Sequence, residues 1–174
     1  SSIAFNKTIS KNKILTEGIQ NINLSDILYT KKLGYKIKLL SISEIKKNKL
    51  IERVHPSLIS DHSYLANVDG VLNAIVIDGL PVGKSVLQGE GAGPGPTSSA
   101  LISDLCSILR GNIKYPFGIS SILRKRIYRF DILKHICSSY LRIEVKDIPG
   151  VLSSITKNFA KNKISIKNLI QNPD

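Results

Sequence analysis

The apolar and polar positions of the chain follow helical and strand periods in turn. Residues 25–34 predict a short helix, because Ser25 can cap it, Asp26 suits its positive end, and Gly34 suits a left-handed C-terminal turn. Residues 35–40 then alternate with period two. This alternation predicts a half-buried strand whose lysines face water.

Further apolar segments predict a strand and a hairpin. Residues 50–59 have strand character, and Pro56 places that strand at a sheet edge or places the proline at a strand end. Residues 71–77 are apolar and largely β-branched, and residues 82–88 follow after a turn that contains glycine and proline. Together these two segments predict a hairpin.

A glycine-rich segment, residues 89–95, leads from the hairpin into a helix predicted from Thr97 to about Leu109. A strand, a loop without bulky side chains and a helix N-terminus together allow a ligand to approach the backbone closely. The spacing departs from the dinucleotide-binding fingerprint, because the third glycine would fall on Pro94 or Pro96. Spacing alone therefore leaves open a ligand-binding loop or a tight connection.

The pattern changes again towards the C-terminus. Residues 111–138 carry no clear period and contain the densest basic cluster, residues 124–129, so they are interpreted as an interdomain connection. Residues 140–146 alternate as a strand, the turn Asp147–Gly150 leads into a helix, and residues 164–167 begin another strand. This order predicts a small βαβ unit.

Composition narrows the class of protein. The chain has 174 residues with 42% hydrophobic residues, which is enough for a globular core. A formal net charge of +12 raises the question of an anionic partner, but the lysines are spread through every segment. Coding bias displayed on solvated faces explains this better than nucleic-acid binding. The chain contains no methionine, so we expect a fragment.

The sequence predicts a cytoplasmic protein without a metal site. It has no apolar run long enough to cross a bilayer and no secretory leader. Cys106 and Cys137 form no CxxC pair, and the histidines have no metal-binding spacing. Residue spacing yields no Ser/His/Asp set, no Cys/His set and no carboxylate pair, so it leaves the function open.

A series of short blocks occurs in the order seen in bacterial homoserine dehydrogenases, and the chain resembles that family over nearly its whole length. The blocks are residues 16–19, 26–27, 33–40, 53–56, 65–75, 89–93 and 96–100. The tail, residues 140–173, resembles the first half of an ACT domain, a module that binds small regulatory molecules. That likeness rests on the turn Asp147–Gly150, on Val151-Leu152 and on residues 164–166.

The resemblance implies an α+β fold. It consists of a mixed-sheet catalytic and dimerisation domain of the homoserine dehydrogenase type, followed by a partial ACT (ferredoxin-like βαβ) module. The expected boundaries are residues 1–115 for the catalytic part, 116–138 for a basic linker and 139–174 for the half module. The hairpin of residues 71–88 would belong to the sheet through which the family dimerises.

The same resemblance implies the activity. Homoserine dehydrogenases interconvert aspartate 4-semialdehyde and L-homoserine with NADP or NAD, on the route to threonine, methionine and isoleucine. The implied cofactor-binding residues are Gly89, Glu90, Gly91, Ala92 and Gly93, with backbone contacts from Gly91 to Gly93 foremost. The family's catalytic Asp and Lys align before Ser1, so no catalytic residue is assigned here and the fragment by itself is expected to be inactive.

The resemblance also implies partners and regulation. We expect a homodimer or homotetramer, no nucleic acid, no membrane, and a threonine effector near Asp147, Pro149 and Gly150. Two alternatives from other classes remain. One is a stand-alone amino-acid-binding ACT-type regulatory protein, and the other is a nucleic-acid-binding protein that uses the cluster of residues 124–129.

Overall fold

The computed structural model describes residues 1–8, 14–115 and 118–171. In this part of the chain the elements are α1 Ser2–Phe5, β1 Leu15–Thr16, α2 Leu24–Lys32, β2 Tyr35–Lys46, β3 Lys49–Ser60, β4 Leu72–Gly79, β5 Gly83–Glu90, α3 Pro94–Leu109 and α4 Val151–Lys161. Short 3₁₀ helices occupy Tyr64–Asn67, Ser121–Leu123 and Ile132–Lys134. None of the helices in the described ranges is long and apolar enough to span a bilayer.

Strands β1, β3 and β2 form a mixed sheet in that order. β2 and β3 are antiparallel over their whole length and join at Lys47 and Asn48, which both have positive φ, as a tight hairpin turn requires. β1 is parallel to β3, with Leu15 opposite Arg53. The predicted α+β class with a mixed sheet is therefore confirmed.

Pro56 lies inside β3, opposite Leu39 of β2. The pairing of β3 with β1 covers only Arg53 and Val54, so Pro56 lies just beyond it. A proline that cannot donate a ladder hydrogen bond is tolerated where a strand lacks its second neighbour. The prediction of an edge strand or a strand end is wrong, because β3 is the middle strand of the sheet and Pro56 lies within it, where β3 is paired only with β2.

The buried apolar core lies around the β2–β3 hairpin. Its most enclosed members are Leu50, Ile51, Ile59 and Ala66, of which Ile51 is 1% exposed. α2 packs on β2, and Thr30 on its inner face is fully buried. This hairpin and α2 form the packed unit of the described residues, and β1 and the 3₁₀ helix Tyr64–Asn67 contact its strand β3.

Helix α2 begins earlier than the sequence predicts. Its N-cap is Asn23, whose side chain accepts from the backbone N–H of Asp26, while the Asp26 carboxylate accepts from the backbone N–H of Asn23. The assignment of Ser25 as the cap is wrong, because the reciprocal bonds of a capping box need the acid three positions after the cap, and Asp26 is three positions after Asn23. Gly34 does take the predicted left-handed conformation, with φ of 80°.

Replacing Asn23 with alanine is expected to lower the free energy of unfolding by about 1 kcal/mol, because the Asp26 N–H loses its acceptor. Ser25→Ala, two residues further into the helix, is the matched control and should change it by only a few tenths, about 0.3 kcal/mol. Urea unfolding of both variants measures the difference. An equal decrease in the free energy of unfolding of the two variants would contradict the assignment of Asn23 as the N-cap.

The lysines of β2 do not simply face water. Lys36 Nζ donates to the carbonyl oxygen of Ala66 at 2.9 Å, and Lys38 Nζ donates to that of Val68 at 2.6 Å and to the Asp69 carboxylate. The prediction of solvent-facing lysines is therefore wrong. The loop before β4 folds across the strand, and its carbonyl groups need donors.

The predicted hairpin is confirmed as β4 and β5, with Ile75 opposite Leu87 in antiparallel register. The following helix, α3, begins at Pro94, three residues before the predicted start at Thr97. Proline suits the first helical position, because its fixed φ is helical and its missing N–H would have no partner there.

The connection after α3 packs against β3. The Leu50 N–H donates to the carbonyl oxygen of Tyr128 at 2.9 Å, the Phe130 N–H donates to that of Leu50 at 2.8 Å, and Arg129 pairs with Glu52 at 2.7 Å. Arg129, one residue of the basic cluster 124–129, thus forms an ion pair within the fold. The boundaries at 115 and 138 stay predictions, and residues 9–13, 116–117 and 172–174 of the predicted domains lie outside the described residues.

The C-terminal βαβ pattern is present in part. Helix α4 is confirmed, with Gly150 as its N-cap at φ of 94°. The predicted strands at residues 140–146 and 164–167 are wrong for the described part of the chain, since neither segment forms a ladder there. An alternating pattern becomes a strand only when a neighbouring strand supplies hydrogen-bond partners.

Candidate functional site

The predicted cofactor residues lie together where β5 leads into α3. Gly89 and Glu90 end β5, and Gly91, Ala92 and Gly93 complete the connection to Pro94. All five predicted residues are exposed. The Gly91 N–H donates to the carbonyl oxygen of Val71 at 3.3 Å, which ties this glycine loop to the start of the hairpin.

The geometry of the loop requires glycine at position 93 and favours a small residue at position 91. A Cβ atom at Gly91 would overlap the side-chain amide of Asn73. Gly93 has φ of 110° and ψ of 161°, a conformation that is essentially restricted to glycine. The loop therefore presents bare backbone to solvent at the end of a strand and the start of a helix.

The first turn of α3 has few backbone donors. Pro94 and Pro96 carry no N–H, and the Thr97 N–H already donates to the carbonyl oxygen of Gly93 at 3.2 Å. A pyrophosphate needs several converging N–H groups. The loop thus suits the close approach of a flat, weakly charged group better than it suits a phosphate.

The turn predicted to bind an effector lies elsewhere in the described structure. Asp147, Pro149 and Gly150 are exposed and precede α4, whose first turn closes when the Ser154 N–H donates to the carbonyl oxygen of Gly150. Among the described residues no hydrogen bond or ion pair joins this turn to the glycine loop. The two predicted sites are therefore separate features.

The structure reveals a third polar centre, which residue spacing did not indicate. The Asp26 side chain is 6% exposed, and its carboxylate accepts from the Tyr140 hydroxyl and from Arg142 Nε, each at 3.0 Å. Burial raises the pKa of Asp26, but the Asn23 N–H, the Tyr140 hydroxyl and Arg142 together bring that pKa below its ordinary value. We call these three residues, Asp26, Tyr140 and Arg142, the docking triad.

The pKa of Tyr140, the tyrosine of the docking triad, is shifted upwards instead. Burial, its hydrogen bond to Asp26 and the charge of that carboxylate raise the pKa of Tyr140 to about 12. In the sequence, the only indication of this centre was that Tyr140 and Arg142 lie two positions apart in the predicted strand of residues 140–146. Nothing in that alternation identified a partner 114 residues earlier in the chain.

The Tyr140 hydroxyl is expected to stabilise the fold in a pH-dependent way. Its proton is held more strongly in the folded chain than in the unfolded one, where the pKa is about 10. The difference in stability between the wild type and Tyr140→Phe should therefore be constant below about pH 10 and shrink as pH rises towards about 12. Urea unfolding of both proteins across this window measures it.

The matched control for these measurements at alkaline pH is Tyr64→Phe, because the Tyr64 side chain is 69% exposed. If the difference in stability between the wild type and Tyr140→Phe stays constant up to about pH 12, the hydrogen bond from Tyr140 to Asp26 is contradicted.

Other chemistry is limited in the part of the chain that the structure describes. It contains no group of three or more His, Cys, Asp or Glu side chains that could hold a metal ion. Open depressions of about 550 Å³ beside Tyr29 on α2 and about 780 Å³ beside Tyr115 lie away from the glycine loop. Neither depression is lined by a residue of the glycine loop, which lies exposed on the surface.

Known proteins with the same sequence features are dehydrogenases. The homoserine dehydrogenase family model matches residues 1–106. The chain is 37% identical over 170 residues to homoserine dehydrogenase of Helicobacter pylori, covering 98% of this chain and 40% of that protein. It is 38% identical over 180 residues to the Neisseria gonorrhoeae enzyme, covering 98% and 41%. The chain thus spans about two fifths of the curated relatives it matches.

Solved structures agree. A homoserine dehydrogenase from Thiobacillus denitrificans matches with a TM-score of 0.73 and 32% identity, over 98% of this chain and 41% of that one. The Staphylococcus aureus homoserine dehydrogenase at pH 6.5 matches with a TM-score of 0.58 and 36% identity, over 66% and 29%. The fold is that of part of a dehydrogenase. The chain belongs to the homoserine dehydrogenase family.

Proposed function

We propose that this chain is part of an enzyme that interconverts aspartate 4-semialdehyde and L-homoserine with NADP or NAD. The observation that carries the proposal is the match to the Thiobacillus denitrificans homoserine dehydrogenase, which extends over 98% of this chain in both fold and sequence. The reaction would serve the synthesis of threonine, methionine and isoleucine. The cytoplasmic location expected from the sequence is part of the proposal.

The glycine loop fits the nicotinamide end of the cofactor. Its exposed backbone at Gly91 and Gly93 carries no side chain to obstruct a flat ring, and the prolines of α3 leave few donors for phosphate. When bound, the dinucleotide supplies or accepts the hydride. In this chain, Gly91 to Gly93 would limit the position of the ring, and Glu90 would lie at the rim of the same loop.

The acid–base groups would lie outside this chain. The resemblance aligns the family's catalytic Asp and Lys before Ser1, and the described residues hold no comparable pair beside the glycine loop. The 174 residues alone are therefore expected to be inactive. Activity would need the dinucleotide-binding region and those side chains.

The hairpin supports the proposal of a homodimer or homotetramer. A two-stranded sheet is marginally stable by itself, and one face of β4–β5 exposes Ile75, Ile77 and Leu87 by 51% or more. A second copy placed against this face would bury these side chains. The regulatory ACT-type module, with threonine near Asp147, Pro149 and Gly150, is likewise part of the proposal and rests on the turn and on α4.

A stand-alone amino-acid-binding regulatory protein is not favoured. The family model covers residues 1–106, which excludes the whole of the predicted module. A regulatory protein of that kind would need its strongest likeness in the C-terminal segment.

The proposal is tested by assaying the full-length protein encoded by the gene for homoserine-dependent reduction of NADP and of NAD. We expect reduction with at least one cofactor and none without homoserine. The 174-residue chain, assayed in parallel, should give no reduction. A folded full-length protein that reduces neither cofactor would overturn the proposal.

A further inference from the structure

A lysine of β2 holds the segment that leads into the β4–β5 hairpin. Lys38 Nζ donates to the carbonyl oxygen of Val68 at 2.6 Å and to the Asp69 carboxylate. The Lys38 side chain is 23% exposed, whereas that of Asp69 is 68% exposed. As a hydrogen-bond donor and as a charge, Lys38 lowers the pKa of the Asp69 carboxyl. A partly buried cation thus binds one backbone carbonyl and one side chain of this segment.

Lys36 supplies a second attachment on the same face of β2. Its Nζ donates to the carbonyl oxygen of Ala66 at 2.9 Å, and Ala66 is fully buried. Lys36 and Lys38 are two positions apart in a strand, so their side chains leave the sheet on the same side. β2 is paired with β3 along its whole length, and both lysines therefore extend from a well-supported backbone.

Two backbone hydrogen bonds continue from this segment to the glycine loop. The Leu72 N–H donates to the carbonyl oxygen of Asp69 at 3.3 Å, and the Gly91 N–H donates to that of Val71 at 3.3 Å. The Asn73 side-chain amide also donates to the Val71 carbonyl oxygen, at 3.4 Å. The position of Asp69 therefore limits that of Val71, and Val71 in turn limits that of Gly91.

The hairpin that carries the glycine loop is a two-stranded sheet, separate from the sheet of β1, β3 and β2. A hairpin of two strands is marginally stable by itself, and residues 89–93 are exposed. In the described residues, the segment 61–71 joins the hairpin to the core sheet. The lysine bonds hold this segment on β2 and so help to orient the glycine loop.

We propose that Lys38 is a positioning residue for the glycine loop, acting through Val68 and Asp69 on the place where the Gly91 backbone meets the nicotinamide ring. The inference rests on the proposed function and adds to it a residue outside the glycine loop. Hydride transfer needs the reacting atoms in near-attack geometry, so a displaced ring slows the reaction. In this role Lys38 contacts neither substrate nor cofactor.

Hydrogen exchange of the full-length protein tests the positioning without an enzyme assay. In Lys38→Met we expect the Gly91 amide to exchange about fivefold faster, while the amide of the buried Leu50, which donates to Tyr128, keeps its wild-type rate. The matched control, Lys46→Met, removes an exposed lysine from the same strand and should change neither amide. A wild-type rate at Gly91 in Lys38→Met overturns the proposal. Equal acceleration at Gly91 and Leu50 also overturns it, because it indicates general destabilisation.

A second variant, Asp69→Ala, removes one acceptor of Lys38 without emptying an enclosed position, because the Asp69 side chain is 68% exposed. We expect the Gly91 amide to exchange about twofold faster in this variant. The increase is smaller than in Lys38→Met because the bond from Lys38 to Val68 remains. If Lys38→Met does not fold, a wild-type rate at Gly91 in Asp69→Ala overturns the proposal.

Steady-state kinetics of the full-length protein tests the link to the reaction. Lys38→Met is expected to lower kcat for homoserine-dependent reduction about tenfold. In the Gly93→Ala background the same substitution should lower kcat by less than about twofold, because the loop is already displaced. A general loss of folded enzyme would lower kcat about tenfold in both backgrounds and would overturn the proposal. An unchanged kcat in Lys38→Met would overturn it as well.

The two proposals fail separately. Absence of homoserine-dependent activity in the folded wild type overturns the proposed function. The exchange rate of the Gly91 amide still decides whether Lys38 holds the glycine loop in place.

Discussion

Replacing Ile51 with alanine is expected to lower the free energy of unfolding by about 3 kcal/mol. The side chain is 1% exposed and lies in β3 between the neighbours that form the core. Its loss removes buried apolar surface and leaves a cavity that β3, paired with β2 along its whole length, cannot close by shifting. Urea unfolding followed by circular dichroism measures the change.

Ile122→Ala is the matched control for the core substitution. It makes the same chemical change at a side chain that is 90% exposed, and it should alter the free energy of unfolding by less than about 0.5 kcal/mol. Equal destabilisation of the two variants would show that the β2–β3 hairpin does not hold the core.

Replacing Gly93 with alanine is expected to reduce homoserine-dependent activity of the full-length protein by about 100-fold. An alanine resists φ of 110° with ψ of 161°, so the strain of about 2 kcal/mol is relieved by moving the loop. A displaced loop would no longer position the cofactor ring, and such misplacement is costly to the chemical step. Steady-state kinetics with both cofactors measures the effect.

Gly95→Ala is the matched control two residues further along. A Cβ atom at Gly95 meets nothing within 4 Å, and the residue lies inside α3. We expect activity within about twofold of the wild type, because Gly95 has no positive φ and a Cβ atom there has open space apart from its two chain neighbours. If Gly93→Ala retains as much activity as Gly95→Ala, the glycine loop has no part in cofactor positioning.

Short-range features were predictable from the residues. Gly34 predicted a left-handed turn, and the apolar, largely β-branched residues 71–77, with residues 82–88 after a turn, predicted the hairpin of β4 and β5. The glycine run before α3 identified the candidate loop for the same reason. In each case the controlling interactions lie within a few residues of one another.

Predictions failed where a distant segment supplied the partner. The alternating pattern predicted that Lys36 and Lys38 contact only water. In the structure both donate hydrogen bonds to carbonyl oxygens of a loop some 30 residues later. Residues 140–146 alternate as a strand, yet Tyr140 and Arg142 attach to Asp26 instead of to a neighbouring strand. The N-cap of α2 is Asn23, two residues before the predicted Ser25, because Asn23 lies three positions before Asp26.

The sequence by itself determined the α+β class, the elements with strong local patterns, the glycine loop and, through its ordered blocks, the family. The tertiary structure alone decided which side chains share a buried charge and why Gly93 must be glycine. Local propensity acts through neighbours along the chain. A buried carboxylate such as Asp26 is satisfied by whichever donors the fold brings to it, and that choice appears only in three dimensions.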